Sequence, residues 1–181
     1  MRKSREEAAQ TRRRIVEAAS REFRKNGIVA TGLNDLMKAA GLTHGGFYKH
    51  FASKDQLVAE ATTAALDALL EGMAAQPTSN AAAAAYLSTR HRDNPASGCP
   101  LAAIGSELSR SDTKAREAAT VGFVRLVDIL AGKAGAAARR RALVAAATMI
   151  GAVTMSRMVT DPELSAEILR EAEKSLMAAR S

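Results

Sequence analysis

The chain has 181 residues, 47% hydrophobic, 25% charged and only 3% aromatic with no Trp, which gives room for one ordinary domain or a small module joined to a larger one, with an aliphatic, alanine-rich helical core. Its formal net charge of +7 is uneven: residues 1–58 hold 12 Lys and Arg against 6 Asp and Glu, and residues 59–181 hold 14 against 13. With no uncharged apolar run of about 18 residues and no apolar segment in the first residues, the expectation is a cytoplasmic protein with no spanning helix, no secretory signal and no membrane partner.

A cationic excess confined to the front third fits a module that binds a polyanion, although a merely solvated basic helix explains the charge equally well. Cys99 has no second cysteine to pair with, and His44, His50 and His91 lack metal-ligand spacing. No phosphate loop, nucleophile elbow or ligand cluster is present. The chain therefore reads as a non-enzyme without cofactor or metal.

In chain order, residues 2–14 are a basic lead-in that should fray at its start. Ile15, Ala18, Ala19 and Phe23 then recur at helical spacing from Gln10 to Lys25 and stop at Asn26-Gly27. Leu33, Leu36, Met37 and Ala40 mark a short second helix with Gly41 beyond its end. Thr43 can cap a third helix that buries Phe47 and Phe51, although its first turn carries the poor helix formers Gly45 and Gly46, at a cost of roughly 1 kcal/mol each.

Ser53 and Gln56 form a capping box for a long helix running toward Met73. An alanine-rich helix is expected over 81–91, then a loop, then helices near 100–109, 112–132, 137–159 and 162–179. No strand alternation occurs, so the fold class is all-α. Residues 1–56 (basic arm 1–10) form a three-helix helix-turn-helix module, and residues 57–181 a helical body for effector binding and dimerisation.

A basic helix, a short helix, a glycine turn and a further helix make up the grammar of a helix-turn-helix DNA reader. The stretch from Thr11 through RRRIVEAASREFRKNGIVATGLNDLMKAAGLTHGGFYKHFASKDQLV resembles the DNA-binding domain of the TetR family of bacterial transcriptional regulators. Helix-ending Asn-Gly, Ala-Thr, Ala-Ala-Gly, Tyr-x-His-Phe and Ser-Lys-Asp come in the family's order. The chain departs from the family at Gly32, where a second hydroxyl is common, at Met37, where Ala is common, and at Gly46, where Thr or Ser follows the glycine.

Residue chemistry and the resemblance together assign Thr31, Tyr48, His50 and Lys54 to phosphates, and Thr43, His44 and Lys49 to base edges. Gly45 and Gly46 would allow close backbone approach to double-stranded DNA. The resemblance implies a homodimer on a palindromic operator. Its interface would come from Leu143, Val144, Ala147, Gly151, Thr154, Met155 and Met158, with Leu164, Ile168, Leu169, Ala172 and Leu176, although the same stripes can pack within one chain.

The resemblance also implies a repressor released by a small molecule. Tyr86, Ile104, Leu108, Phe123, Val127, Met149 and Val153 are candidate pocket lining for an apolar effector, and each also fits ordinary core. Cys99, placed as the N-cap before Pro100, is a candidate thiolate trigger for an electrophilic effector, or simply a buried small hydrophobe. The alternative function is a dimeric DNA-binding protein that needs no effector.

Overall fold

A computed structural model describes residues 5–132 and 135–178, and every regular element among them is helical. The first helix, α1 (Arg5–Asn26), starts earlier than the apolar periodicity indicates. Glu6 and Glu7 in its first turn and Arg24 and Lys25 in its last complement the helix dipole, which extends a helix beyond its buried stripe. It stops at Gly27, whose φ of 87° is left-handed.

After α2 (Leu33–Ala39), the Gly41 N–H donates to the Lys38 carbonyl and the Leu42 N–H to the Met37 carbonyl at 2.8 Å, with Gly41 at φ 68°. This is a Schellman turn, and it accounts for the glycine between the two short helices. The segment that follows, His44–Lys49, is a 3₁₀ helix rather than the expected α-helix. Thr43 holds the N-cap backbone position, but its side chain caps nothing.

The expected pairing of Ser53 with Gln56 caps α3 (Lys54–Ala74), with the return bond made to the residue before the N-cap. The Gln56 N–H donates to Ser53 Oγ at 3.1 Å, and Gln56 Oε1 accepts the Ala52 N–H at 2.9 Å. The single helix expected over 81–91 is two: α4 (Ser79–Tyr86), capped by Thr78, and α5 (Thr89–Asp93), capped by Ser88, whose Oγ accepts the His91 N–H at 3.2 Å. Serine competes for backbone groups and so divides the run. A 3₁₀ turn at Pro95–Ser97 leads to α6 (Pro100–Leu108), then α7 (Thr113–Ala131), α8 (Gly135–Met158) and α9 (Pro162–Ala178). Among the described residues, no helix is long and apolar enough to cross a membrane.

Two buried clusters organise the molecule. The front cluster joins α1, α2, the 3₁₀ segment and the first half of α3 through Ile15, Phe23, Leu36, Phe47, Phe51 and Leu57, and takes Ile104 and Leu108 from α6. The rear cluster joins the second half of α3 to α4 and α7–α9 through Leu66, Leu70, Leu126, Met149 and Leu169. The core is thus not uniformly aliphatic, because Phe23, Phe47 and Phe51 all pack in front.

In the rear, α3 and α7 meet closely. A Cβ at Gly122 would overlap the Leu66 side chain, itself 1% exposed, with Cγ at 2.8 Å. Gly122→Val should therefore destabilise the fold by about 1–3 kcal/mol through overpacking, read as a lower urea midpoint at unchanged slope. A midpoint equal to wild type would show that this contact is not tight.

Candidate nucleic-acid interface and the adjoining groove

The 3₁₀ segment presents two faces with different chemistry. Phe47 is fully buried and stacks with Phe51 at 5.6 Å between ring centroids, while Tyr48 is 67% exposed and meets Phe47 edge-on at 5.1 Å. Thr43, His44, Gly45 and Lys49 are also exposed, so these four and Tyr48 form one outward surface. His50 is half-buried, and its carbonyl accepts Arg12 Nε at 3.3 Å. Arg12 lies 4.4 Å from the centre of the Phe51 ring and pairs with Glu60 through both carboxylate oxygens, which holds the Glu60 carboxyl below its usual range.

Two residues assigned to phosphates face elsewhere. Thr31 is 2% exposed, and its hydroxyl donates to the Gly27 carbonyl at 2.5 Å, closing the α1–α2 loop from inside. Lys54 Nζ donates to the Ile28 carbonyl at 2.5 Å, over the Phe23 ring. Both fasten the loop to its neighbours, a function that sequence spacing does not reveal.

The two glycines differ sharply. A Cβ at Gly45 meets nothing within 4 Å, whereas one at Gly46 points inward at Met37 Cε, 3.4 Å away. Met37 and Gly46, two of the departures noted in the sequence, are therefore one feature. The longer side chain on α2 reaches the space beside the residue that lacks one. Gly46 is accordingly the packing position and Gly45 the outward one.

Behind the front module, α6 holds it at both ends. Just ahead of α6, the Gly98 carbonyl accepts Arg24 Nη1 from α1 at 2.7 Å. Near its far end, Glu107 Oε2 accepts the Val29 N–H at 2.8 Å, beneath Gly27. The helix kinks at Ile104 (φ −131°, ψ 18°), and Thr154 of α8 donates to its Ala102 carbonyl at 3.1 Å.

A groove of about 640 Å³ opens beside this strap, between Leu69, Gly72 and Met73 of α3 and Tyr86, Arg90 and His91, with Gly98 in its wall. The His91 ring is fixed from two sides. Nε2 accepts the Cys99 N–H at 2.8 Å, so Nδ1 carries the proton and donates to the Tyr86 carbonyl at 2.6 Å. Burial lowers the His91 pKa, with Arg157 and Arg24 adding to the effect against the pull of the Tyr86 carbonyl.

Of the residues expected to line an effector pocket, only Tyr86 borders this groove. Cys99, Val127, Met149 and Val153 are rear core, Phe123 packs against that core, and Ile104 and Leu108 belong to the front cluster. Cys99 does occupy the N-cap of α6, but it is fully buried. Burial raises its thiol pKa and outweighs the opposing pull of Tyr86, the Ala102 and Leu101 N–H groups and Arg157. The expectation of an activated thiolate is thereby corrected.

Residues 15–61, which hold this turn and outward surface, match the family model "Bacterial regulatory proteins, tetR family". The front module is thus a TetR-type DNA-binding domain. It is 45% identical over 71 residues to the HTH-type transcriptional regulator TtgR of Pseudomonas putida, a match covering 39% of this chain and 32% of that one. The chain thus matches only about a third of that relative's length.

Over the whole fold, a TetR transcriptional regulator from Chloroflexus aurantiacus superposes with a TM-score of 0.72 at 26% identity, covering 94% of each chain. AibR, solved with isovaleryl coenzyme A and operator DNA, superposes at 0.61 with 16% identity, covering 90% of this chain and 96% of that one. The helical architecture is thus that of TetR regulators.

Met37→Ala should cost about 2–5 kcal/mol by opening a cavity, and Gly46→Ala should recover part of that loss in the Met37→Ala background. Additive unfolding free energies across the cycle would disprove the coupling. For His91, the folded-state pKa lies below the ordinary 6.5, so the unfolded chain takes up the proton first. Its contribution to stability is whole above that value and falls with pH until the folded pKa is passed. The difference in urea midpoint between wild type and His91→Gln should narrow as pH drops below 6.5, and a constant difference would contradict it.

Proposed function

We propose that the chain is a dimeric transcriptional regulator that binds a two-fold symmetric DNA operator as a repressor and leaves it when a small molecule occupies its body. The observation that carries this reading is the outward surface of Thr43, His44, Gly45, Tyr48 and Lys49, set on a Schellman turn and backed by the buried Phe47. Its 3₁₀ form is unusually long for that geometry, and such stretches accompany hinges. Contact with the major groove orders it, with Lys49 and His44 reaching base edges and Tyr48 a phosphate. AibR, solved with operator DNA, supports the reading by its shared fold.

Pairing of two copies follows from apolar side chains left at the surface. On α8, Val144 is 66% and Met158 65% exposed, with Leu143 and Met155 beside them and Leu164 on α9. Leu169 and Leu176 are buried within the chain and take no part. Two such faces suit a four-helix interface, and pairing sets the spacing of the half-sites.

The groove beside the α6 strap suits a reversible effector. A fully buried Cys99 with a raised pKa favours that route over covalent attack on the thiol.

Selection from random duplex DNA should enrich a two-fold symmetric sequence. On that sequence, Lys49→Ala should lose about 1–3 kcal/mol of discrimination at one base pair per half-site. A pool that remains random after selection would remove the proposal.

A further inference from the structure

We propose that the groove between α3 and the 86–98 segment takes an anionic amphiphile, an elongated apolar molecule ending in a carboxylate, and that Arg24 reports its arrival to the front module. Only the consequence for DNA rests on the regulatory reading; the binding claim stands on the groove itself.

The wall contributed by α3 is apolar, through Leu69 and Met73. The opposite wall is polar and carries one cation. Arg90 lines the rim, and no Asp or Glu borders the groove among the described residues. Around Gly98, Arg24 donates to the Gly98 carbonyl at 2.7 Å, and Arg157 donates to the carbonyls of His91 at 2.7 Å and Arg92 at 2.9 Å. A Cβ at Gly98 would lie 3.2 Å from Arg157 Nη2, so this guanidinium stands directly behind the wall.

Among the described residues, none of Arg24, Arg90 and Arg157 forms an ion pair. Asp93, which acts on Arg157 through space, is exposed and paired with Arg92 at 2.7 Å. A guanidinium bonded only to neutral carbonyl and hydroxyl oxygens, as Arg24 is through Gly98 and Ser20, keeps its full charge, and a carboxylate is the stronger acceptor. Arg157 Nη1 is buried behind this wall and has no hydrogen-bond partner. Burial also lowers the pKa of both Arg24 and Arg157, as expected for cations drawn partly out of water.

The contrast with the other large groove is direct. Between α1 and α3, Arg12 and Arg13 are balanced by Glu17, Glu60 and Asp67. A carboxylate beside Gly98 competes with its carbonyl for Arg24. When Arg24 turns to the ligand, the end of α1 loses one of its two anchors, while Glu107 still holds Val29. The front module then swings about the remaining anchor.

The test uses decanoate, decan-1-ol and decylammonium below their micellar concentrations, with binding to the intact protein measured by calorimetry. Decanoate should bind at least tenfold more tightly than decan-1-ol, and decylammonium most weakly. Gly72 lines the groove, and a Cβ there meets nothing within 4 Å, so Gly72→Leu should fold normally, fill the space and lose decanoate binding at least tenfold. Arg90→Gln, a surface change, should bring decanoate toward decan-1-ol.

Hydrogen exchange at residues 27–31 should rise with decanoate in wild type. In Arg24→Gln it should already be high and respond little. Equal binding of decanoate and decan-1-ol, unchanged binding in Gly72→Leu, or no binding of decanoate at all would overturn the proposal. If selected DNA fails to bind while these ligand results hold, the regulatory reading falls and the ligand class stands.

Discussion

The placement of the front module depends on two hydrogen-bonded anchors at opposite ends of α6, Arg24 to the Gly98 carbonyl and the Val29 N–H to Glu107. Both involve a charged side chain and a backbone group, a class of bond worth about 1.5–3 kcal/mol. That is the range of typical coupling energies between binding sites, about 1–3 kcal/mol. Helix α3 supplies the complementary constraint, because it gives Leu57, Val58 and Ala61 to the front cluster and Leu66, Leu70 and Met73 to the rear. The two clusters share a spine, and the strap decides how they sit on it.

This arrangement changes the meaning of the front-loaded charge. Much of the basic excess in residues 1–58 is structural. Arg12 is bound by Glu60, Arg14 by the Ala40 carbonyl at 2.8 Å, Arg24 by Gly98 and Lys54 by Ile28. These side chains fasten helix ends and loops, so the number of cations facing outward is smaller than the sequence count suggests. The outward surface of the 3₁₀ segment relies on a few placed side chains rather than on a dense positive field.

The front module was legible because its signals are local. Gly41 in the turn, Ser53 with Gln56 at the next cap and the apolar spacing of α1 each act within a few residues, and all appear in the structure. Met37 and Gly46 stood out individually as departures from the family, yet their pairing needs the geometry of the turn between them. Arg24 and Gly98 are separated by 74 positions, and no periodicity links them. The effector lining failed for a different reason. Apolar spacing marks buried residues, and Val127, Met149 and Val153 are buried in core rather than in a cavity wall. The groove's second wall is built instead from hydroxyl, imidazole, amide and guanidinium groups and a glycine, at the end of the expected 81–91 helix and in the loop after it. Cys99 shows the same limit, since its N-cap position was readable and its complete burial was not.

The most direct test of the two-anchor account is the distance distribution between spin labels on the front module and the body. Lys38→Cys and Glu117→Cys, both exposed sites, would carry the labels in a Cys99→Ser background. The account predicts one narrow distribution, and a broader, shifted one when Arg24→Gln and Glu107→Gln are combined with unchanged helix content. An equally narrow distribution at the same distance in that variant would show that α6 does not hold the front module in place.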